Sequence, residues 1–171
     1  AAAGAVRGVQ LAASIGGLLI TFVALEAFLD SAVSWWFGLI GHEEITISTI
    51  LGWLFWAPAW LMGIPSQDCL EIGRLVAIKT ILNEFVAYRD LIALWDDGAI
   101  AKRSFVIATY ALCGFSNFAS IGVQLAGLTV LAPSRSRDLS RSVLSALLGG
   151  FFACCSTACV AALLIDDDAE L

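Results

Sequence analysis

Charge is scarce in this sequence. Asp, Glu, Lys and Arg together make up 14% of its 171 residues, against about 25% in an average soluble domain. With 60% apolar residues and a mean hydropathy of +0.89, the composition reads as an integral membrane protein. A basic surface is missing too: the net charge of -6 excludes a footprint for phosphate backbones, so no nucleic-acid partner is expected. Histidine occurs once, as His42 in a short acidic loop. With no second ligand at metal spacing it is read as a solvated loop residue, and no metal site is expected. The five cysteines show no CxxC spacing. Cys113, Cys154, Cys155 and Cys159 lie in apolar runs and read as small packing residues, Cys69 as a lone thiol near a hairpin start. No Ser-His-Asp set or metal constellation falls in the apolar segments, which argues against an intramembrane hydrolase and leaves no catalytic residue to name. The N-terminus has no cleavable-signal pattern and no initiating Met, and it reads as the interior of a longer protein.

What is present is organised around residues 105–131, FVIATYALCGFSNFASIGVQLAGLTVL, a long run without a charge. About 20 apolar residues cross a bilayer, and the polar group Cys113-Gly114-Phe115-Ser116-Asn117 falls near the middle of this run. An interrupted helix there would turn backbone groups and half-helix ends toward a cavity, as in transporters whose substrate sites lie at the midplane. Asn117 is therefore expected to point at a ligand. The competing reading has Ser116, Asn117 and Ser120 bonding to neighbouring helices. A second polar insertion, Asn83-Glu84 within KTILNEFVAY, favours the first reading.

Taken in order, residues 1–41 form a long span, with Arg7 before it and Trp35-Trp36 as an interfacial anchor. Glu26 and Asp30, four apart, share a face and should avoid lipid; they sit either in a cation relay or at the helix end or a subunit contact. Residues 45–64, interrupted by Pro58, carry Trp53, Trp56 and Trp60 on one face and read as a helix lying along the interface. Residues 65–98 hold two short apolar pieces split between Lys79 and Glu84, a re-entrant hairpin whose tip should meet the break at Asn117. Glu84 is the acid at that tip, or else it makes a structural ion pair with Lys79 or a helix N-cap-like contact. The broken transmembrane helix covers 102–132, a loop with Arg135, Arg137 and Arg141 covers 133–141, the last transmembrane helix 142–165 and an acidic tail 166–171. The positive-inside rule puts the Arg loop in the cytoplasm and the tail outside; Lys102-Arg103 dissent from that scheme. Hairpin, broken helix and full helix form the unit that inverted-repeat transporters use twice. Here it occurs once.

KTILNEFVAY, IATYALCGFSNFASIG and GLTVLAPSRSRDLSR resemble the concentrative nucleoside transporter family, and the resemblance covers nearly the whole chain. It implies an all-α integral membrane fold equivalent to the C-terminal half of that family. The parts would be a long scaffold helix, an interfacial helix, a re-entrant helical hairpin, a broken transmembrane helix and a final transmembrane helix. It also implies that Glu84 accepts hydrogen bonds from ribose hydroxyls, that Asn117 and Ser120 add an amide and a hydroxyl, that Phe115 packs on sugar or base, and that Asn83 supports the hairpin tip. A carboxylate, an amide and a hydroxyl suit the vicinal hydroxyls of a ribose. Ala77-Ile78-Lys79 and Glu26 depart from the family pattern without touching those residues.

The function implied is cation-coupled nucleoside import by alternating access, in a homotrimer within a bacterial inner or plasma membrane. No cofactor is implied. The coupling ion, sodium or a proton, would be held by a first hairpin and broken helix that this sequence does not contain. The alternatives are a carrier for another small polar solute and a truncated membrane subunit without transport.

Overall fold

The computed structural model describes residues 2–42 and 44–165; Glu43, the Glu26 side chain and the acidic tail 166–171 lie outside the described residues. All regular structure among the described residues is helical. The chain divides into two units, one through Ile47 and one from Ser48.

The first unit is α1, Ala2–Gly38, and the turn after it. Apolar residues on all sides leave no amphipathic stripe, and Trp35 and Trp36 are exposed. Thr21 and Ser31 return their hydroxyls to the carbonyls of Gly17 and Ala27 one turn back, so these polar groups are satisfied without leaving the helix. Asp30 is half-buried. His42 lies beside the Glu44 carboxylate, 3.1 Å away, in the exposed turn.

The second unit carries six helices: α2 (Ile47–Leu61), α3 (Cys69–Ile81), α4 (Glu84–Asp96), α5 (Lys102–Leu112), α6 (Phe118–Leu131) and α7 (Ser136–Leu164). Helix α2 crosses α3 where two glycines meet. A Cβ on Gly73 would stand 2.7 Å from the Gly52 carbonyl oxygen, so the crossing is closer than any side chain permits. The interruption expected at Pro58 is absent, because α2 runs through it to Leu61. Pro58 stands in the last turn, where its missing N–H costs one hydrogen bond, and the Met62 N–H takes up the Pro58 carbonyl at 3.1 Å. Trp56 and Trp60 stack at 6.4 Å between ring centroids, while Trp53 and Trp60 remain exposed.

The loop expected over 133–141 is also helical. Pro133–Arg135 forms a 3₁₀ turn and α7 starts at Ser136, six residues before the expected Ser142. Proline with φ already fixed suits a helix start, Asp138 supplies an acid to the first turn of α7, and Arg135 pairs with it at 2.6 Å. Among the described residues, two helices are long and apolar enough to cross a membrane, Ile20–Gly38 within α1 and Pro133–Leu164.

Buried apolar side chains of α3, α4 and α5, among them Ile72, Leu75, Leu91, Ile107 and Leu112, form the core of the second unit. Two polar clamps fix its ends. Asp68, just before α3, receives the Ala101 N–H at 3.0 Å and the Ser104 hydroxyl, and so caps α5 from another segment. Arg103 donates to the carbonyls of Gly63 at 3.3 Å and Ala162 at 2.9 Å, joining the start of α5 to the ends of α2 and α7. Arg103 thus has a structural task at helix C-termini, where a cation is favoured.

Candidate functional site

Two helices are interrupted, and their interruptions meet. Between α3 and α4 the chain leaves helix at Leu82 and Asn83; between α5 and α6 it leaves helix from Cys113 to Asn117. Asparagine closes both. The Asn83 side-chain oxygen accepts the Val86 N–H at 3.0 Å, and the Asn117 oxygen accepts the Ser120 N–H at 2.8 Å. Each therefore satisfies an otherwise orphaned donor in the first turn of its helix.

Glu84 follows the first cap and opens α4, where the positive end of the helix favours its charge. Its carboxylate receives the Asn117 amide at 2.8 Å. Glu84 is 6% exposed and Asn117 2%, so acid and amide face each other where water is nearly excluded. One Asn117 side chain thus performs two tasks, capping α6 with its oxygen and holding Glu84 with its nitrogen. The Ser120 hydroxyl bonds back to the carbonyls of Phe115 at 2.8 Å and Asn117 at 3.1 Å. Phe115 stands in the break itself, 66% exposed. All five residues named from the sequence lie at the two breaks: Asn83 caps, Glu84 and Asn117 pair, Ser120 braces the turn and Phe115 projects.

Three further side chains complete the arrangement. Lys79, in the last turn of α3, is 1% exposed and donates to the Ser116 hydroxyl at 2.5 Å and to the Cys154 sulfur at 3.4 Å. It forms no ion pair among the described residues, so the structural pairing with Glu84 considered above is not made. The two side chains are engaged elsewhere, Lys79 with Ser116 and Cys154 and Glu84 with Asn117. Cys154, expected as a packing residue, has polar contacts, its thiol donating to the Cys113 carbonyl at 3.1 Å. Gln124, one turn beyond Ser120, gives its amide to the Phe115 carbonyl at 3.2 Å. Lys79 carried a visible signal, a charge inside an apolar hairpin; Cys154 and Gln124 carried none.

Close approach of the break to α7 depends on glycine. Gly114 has φ +134°, which side-chain-bearing residues rarely adopt, and a Cβ there would meet the Cys154 sulfur at 3.0 Å. A Cβ on Gly150 would meet the Ser116 Cβ at 3.0 Å. A cavity of about 280 Å³ opens beside the break, lined by Phe115, Asn117 and Gln124 on one side and Leu147, Gly150 and Cys154 of α7 on the other. Of the residues named from the sequence, Phe115 and Asn117 line this cavity, and Glu84 joins it only through its hydrogen bond to Asn117. Two discontinuous helices whose breaks meet at buried hydrogen-bonding groups define the architecture.

The chain belongs to the sodium-dependent nucleoside transporter family: residues 1–162 match the model for the "Na+ dependent nucleoside transporter C-terminus". It is 40% identical over 174 residues to the human solute carrier family 28 member 3, covering 94% of this chain and 25% of that one. It is likewise 40% identical over 177 residues to the rat sodium/nucleoside cotransporter 1, covering 96% of this chain and 27% of that one. Among solved structures it superposes on CNTnw in an inward-facing substrate-bound state with a TM-score of 0.93 at 35% identity, over 99% of this chain and 42% of that one. The chain thus spans between a quarter and about two-fifths of the length of these relatives. The family is one of transporters.

Proposed function

We propose that this chain supplies the ribose-binding half of a cation-coupled nucleoside symporter that imports nucleosides by alternating access. The observation that carries the reading is the buried hydrogen bond between Asn117 and Glu84, 2.8 Å long, joining the first turns of α4 and α6. A carboxylate accepts several hydrogen bonds, and the Asn117 amide uses one acceptor position on Glu84. The remaining positions would take the vicinal hydroxyls of a ribose, while Phe115 would cover the sugar or base. Ser120 would turn its hydroxyl toward the same sugar, and Asn83 would hold the hairpin tip that presents Glu84. Because the site pairs hydroxyls, analogues without them would leave its buried polar groups unmatched and be rejected.

The protein is proposed to lie in a bacterial inner or plasma membrane, with α1 in the scaffold and the hairpin, broken helix and α7 moving against it within a homotrimer. Residues 65–98 would be re-entrant, 102–132 the broken transmembrane helix and 45–64 an interfacial helix. Sodium coupling is supported by the naming of the rat relative as a sodium/nucleoside cotransporter.

The test is uridine uptake by the complete native protein carrying Glu84→Gln. Loss of a charge-assisted hydrogen bond costs about 1.5–3 kcal/mol, so uptake should fall about tenfold or more while the amount of protein in the membrane is unchanged. Near-normal uptake by the variant sinks the assignment. Uptake of another solute that nucleosides do not compete would point to a different carrier.

A further inference from the structure

Lys79 is a buried cation that the ribose site does not use. It is 1% exposed, and no carboxylate pairs with it among the described residues. Burying an unpaired ammonium is costly, so the acceptors it meets must hold it. Lys79 stands in the last turn of α3, and its ammonium reaches Ser116 and Cys154, the latter thiol resting 3.1 Å from the carbonyl of Cys113, which caps the end of α5. The ammonium thus fills a place between a hydroxyl and a sulfur, and through Ser116 and Cys154 it ties the end of α3 to the second break and to α7.

We infer that Lys79 is a built-in cation and acts as a positioning residue for the proposed ribose site. Ser116, whose hydroxyl oxygen accepts a hydrogen bond from the Lys79 ammonium, immediately precedes Asn117, which holds Glu84. The ammonium therefore fixes the residue next to the amide that holds Glu84. It follows that no mobile coupling ion is needed at this junction, and that removing the ammonium leaves a vacant place for one.

This inference rests on the nucleoside reading, and the test separates the two. Uridine affinity is measured by calorimetry on the complete purified protein carrying Lys79→Ala or Lys79→Met, each with and without methylammonium. Melting temperatures are recorded alongside, and Glu84→Gln is the control for the sugar site. Both Lys79 variants should bind uridine at least tenfold more weakly. Methylammonium should restore Lys79→Ala, which leaves room for it, and not Lys79→Met, whose apolar chain occupies the space. Wild-type affinity in either variant overturns the inference, as does weakened binding by a stably folded Lys79→Ala that methylammonium leaves unchanged. If Lys79→Ala does not fold, Ser116→Ala decides: weakened uridine binding at an unaltered melting temperature upholds the link to Asn117, and wild-type binding overturns it. Normal uridine binding by Glu84→Gln would instead defeat the ribose reading itself.

Discussion

The two helix breaks use the same device for different ends. At the first, between α3 and α4, the interruption is only Leu82 and Asn83, and the Asn83 oxygen caps α4 and its amide holds no partner in the site. At the second, between α5 and α6, five residues leave the helix, and Asn117 both caps α6 and grips Glu84. The short break presents an acid immediately after its cap; the long one presents an aromatic ring before its cap and an amide from the cap itself. A cap that also binds cannot be altered without disturbing both the helix and the site. A cap that only caps can be.

That difference can be broken experimentally. Asn117→Ala should have the larger effect, because it removes the cap, worth about 1 kcal/mol, and also leaves the buried Glu84 carboxylate without its amide donor, a loss of about 1–3 kcal/mol. Uridine uptake should fall at least tenfold, and thermal melts of the complete protein in detergent should show lower stability. Asn83→Ala removes a cap alone. Its melt should register about 1 kcal/mol of lost stability, with a smaller loss of uptake per folded molecule than Asn117→Ala shows, because Glu84 keeps its amide donor. Equal losses of uptake from the two alanine variants would erase the distinction between the breaks.

The sequence made the second break legible because Ser116 and Asn117 stand in the middle of a long uncharged run, where an amide needs a protein partner. It made the first legible through Asn83-Glu84, a polar pair inside an otherwise apolar hairpin, although the capping of α4 by Asn83 is visible only in the structure. Less was legible where one residue type serves opposite ends. Pro58 reads as a breaker, yet in a last turn it interrupts only one bond; Pro133 and the Ser/Arg run after it read as a loop, yet proline is preorganised for a first turn. The surroundings of Lys79 were hidden for a different reason. Its partners Ser116 and Cys154 lie 37 and 75 residues away, and only the packing of α7 against the break brings them together. The capping of α5 by Asp68 spans 33 residues and was equally invisible to local pattern.

The central claim is that Glu84, held by Asn117, reads the sugar hydroxyls. The most direct measurement is a cycle of binding constants on the complete protein: uridine and an analogue lacking both vicinal ribose hydroxyls, each against wild type and Glu84→Gln. If the claim holds, wild type binds the analogue at least tenfold more weakly than uridine, and that penalty largely disappears in Glu84→Gln. A hydroxyl penalty of the same size in both proteins would show that Glu84 does not contact the sugar, and would contradict the account.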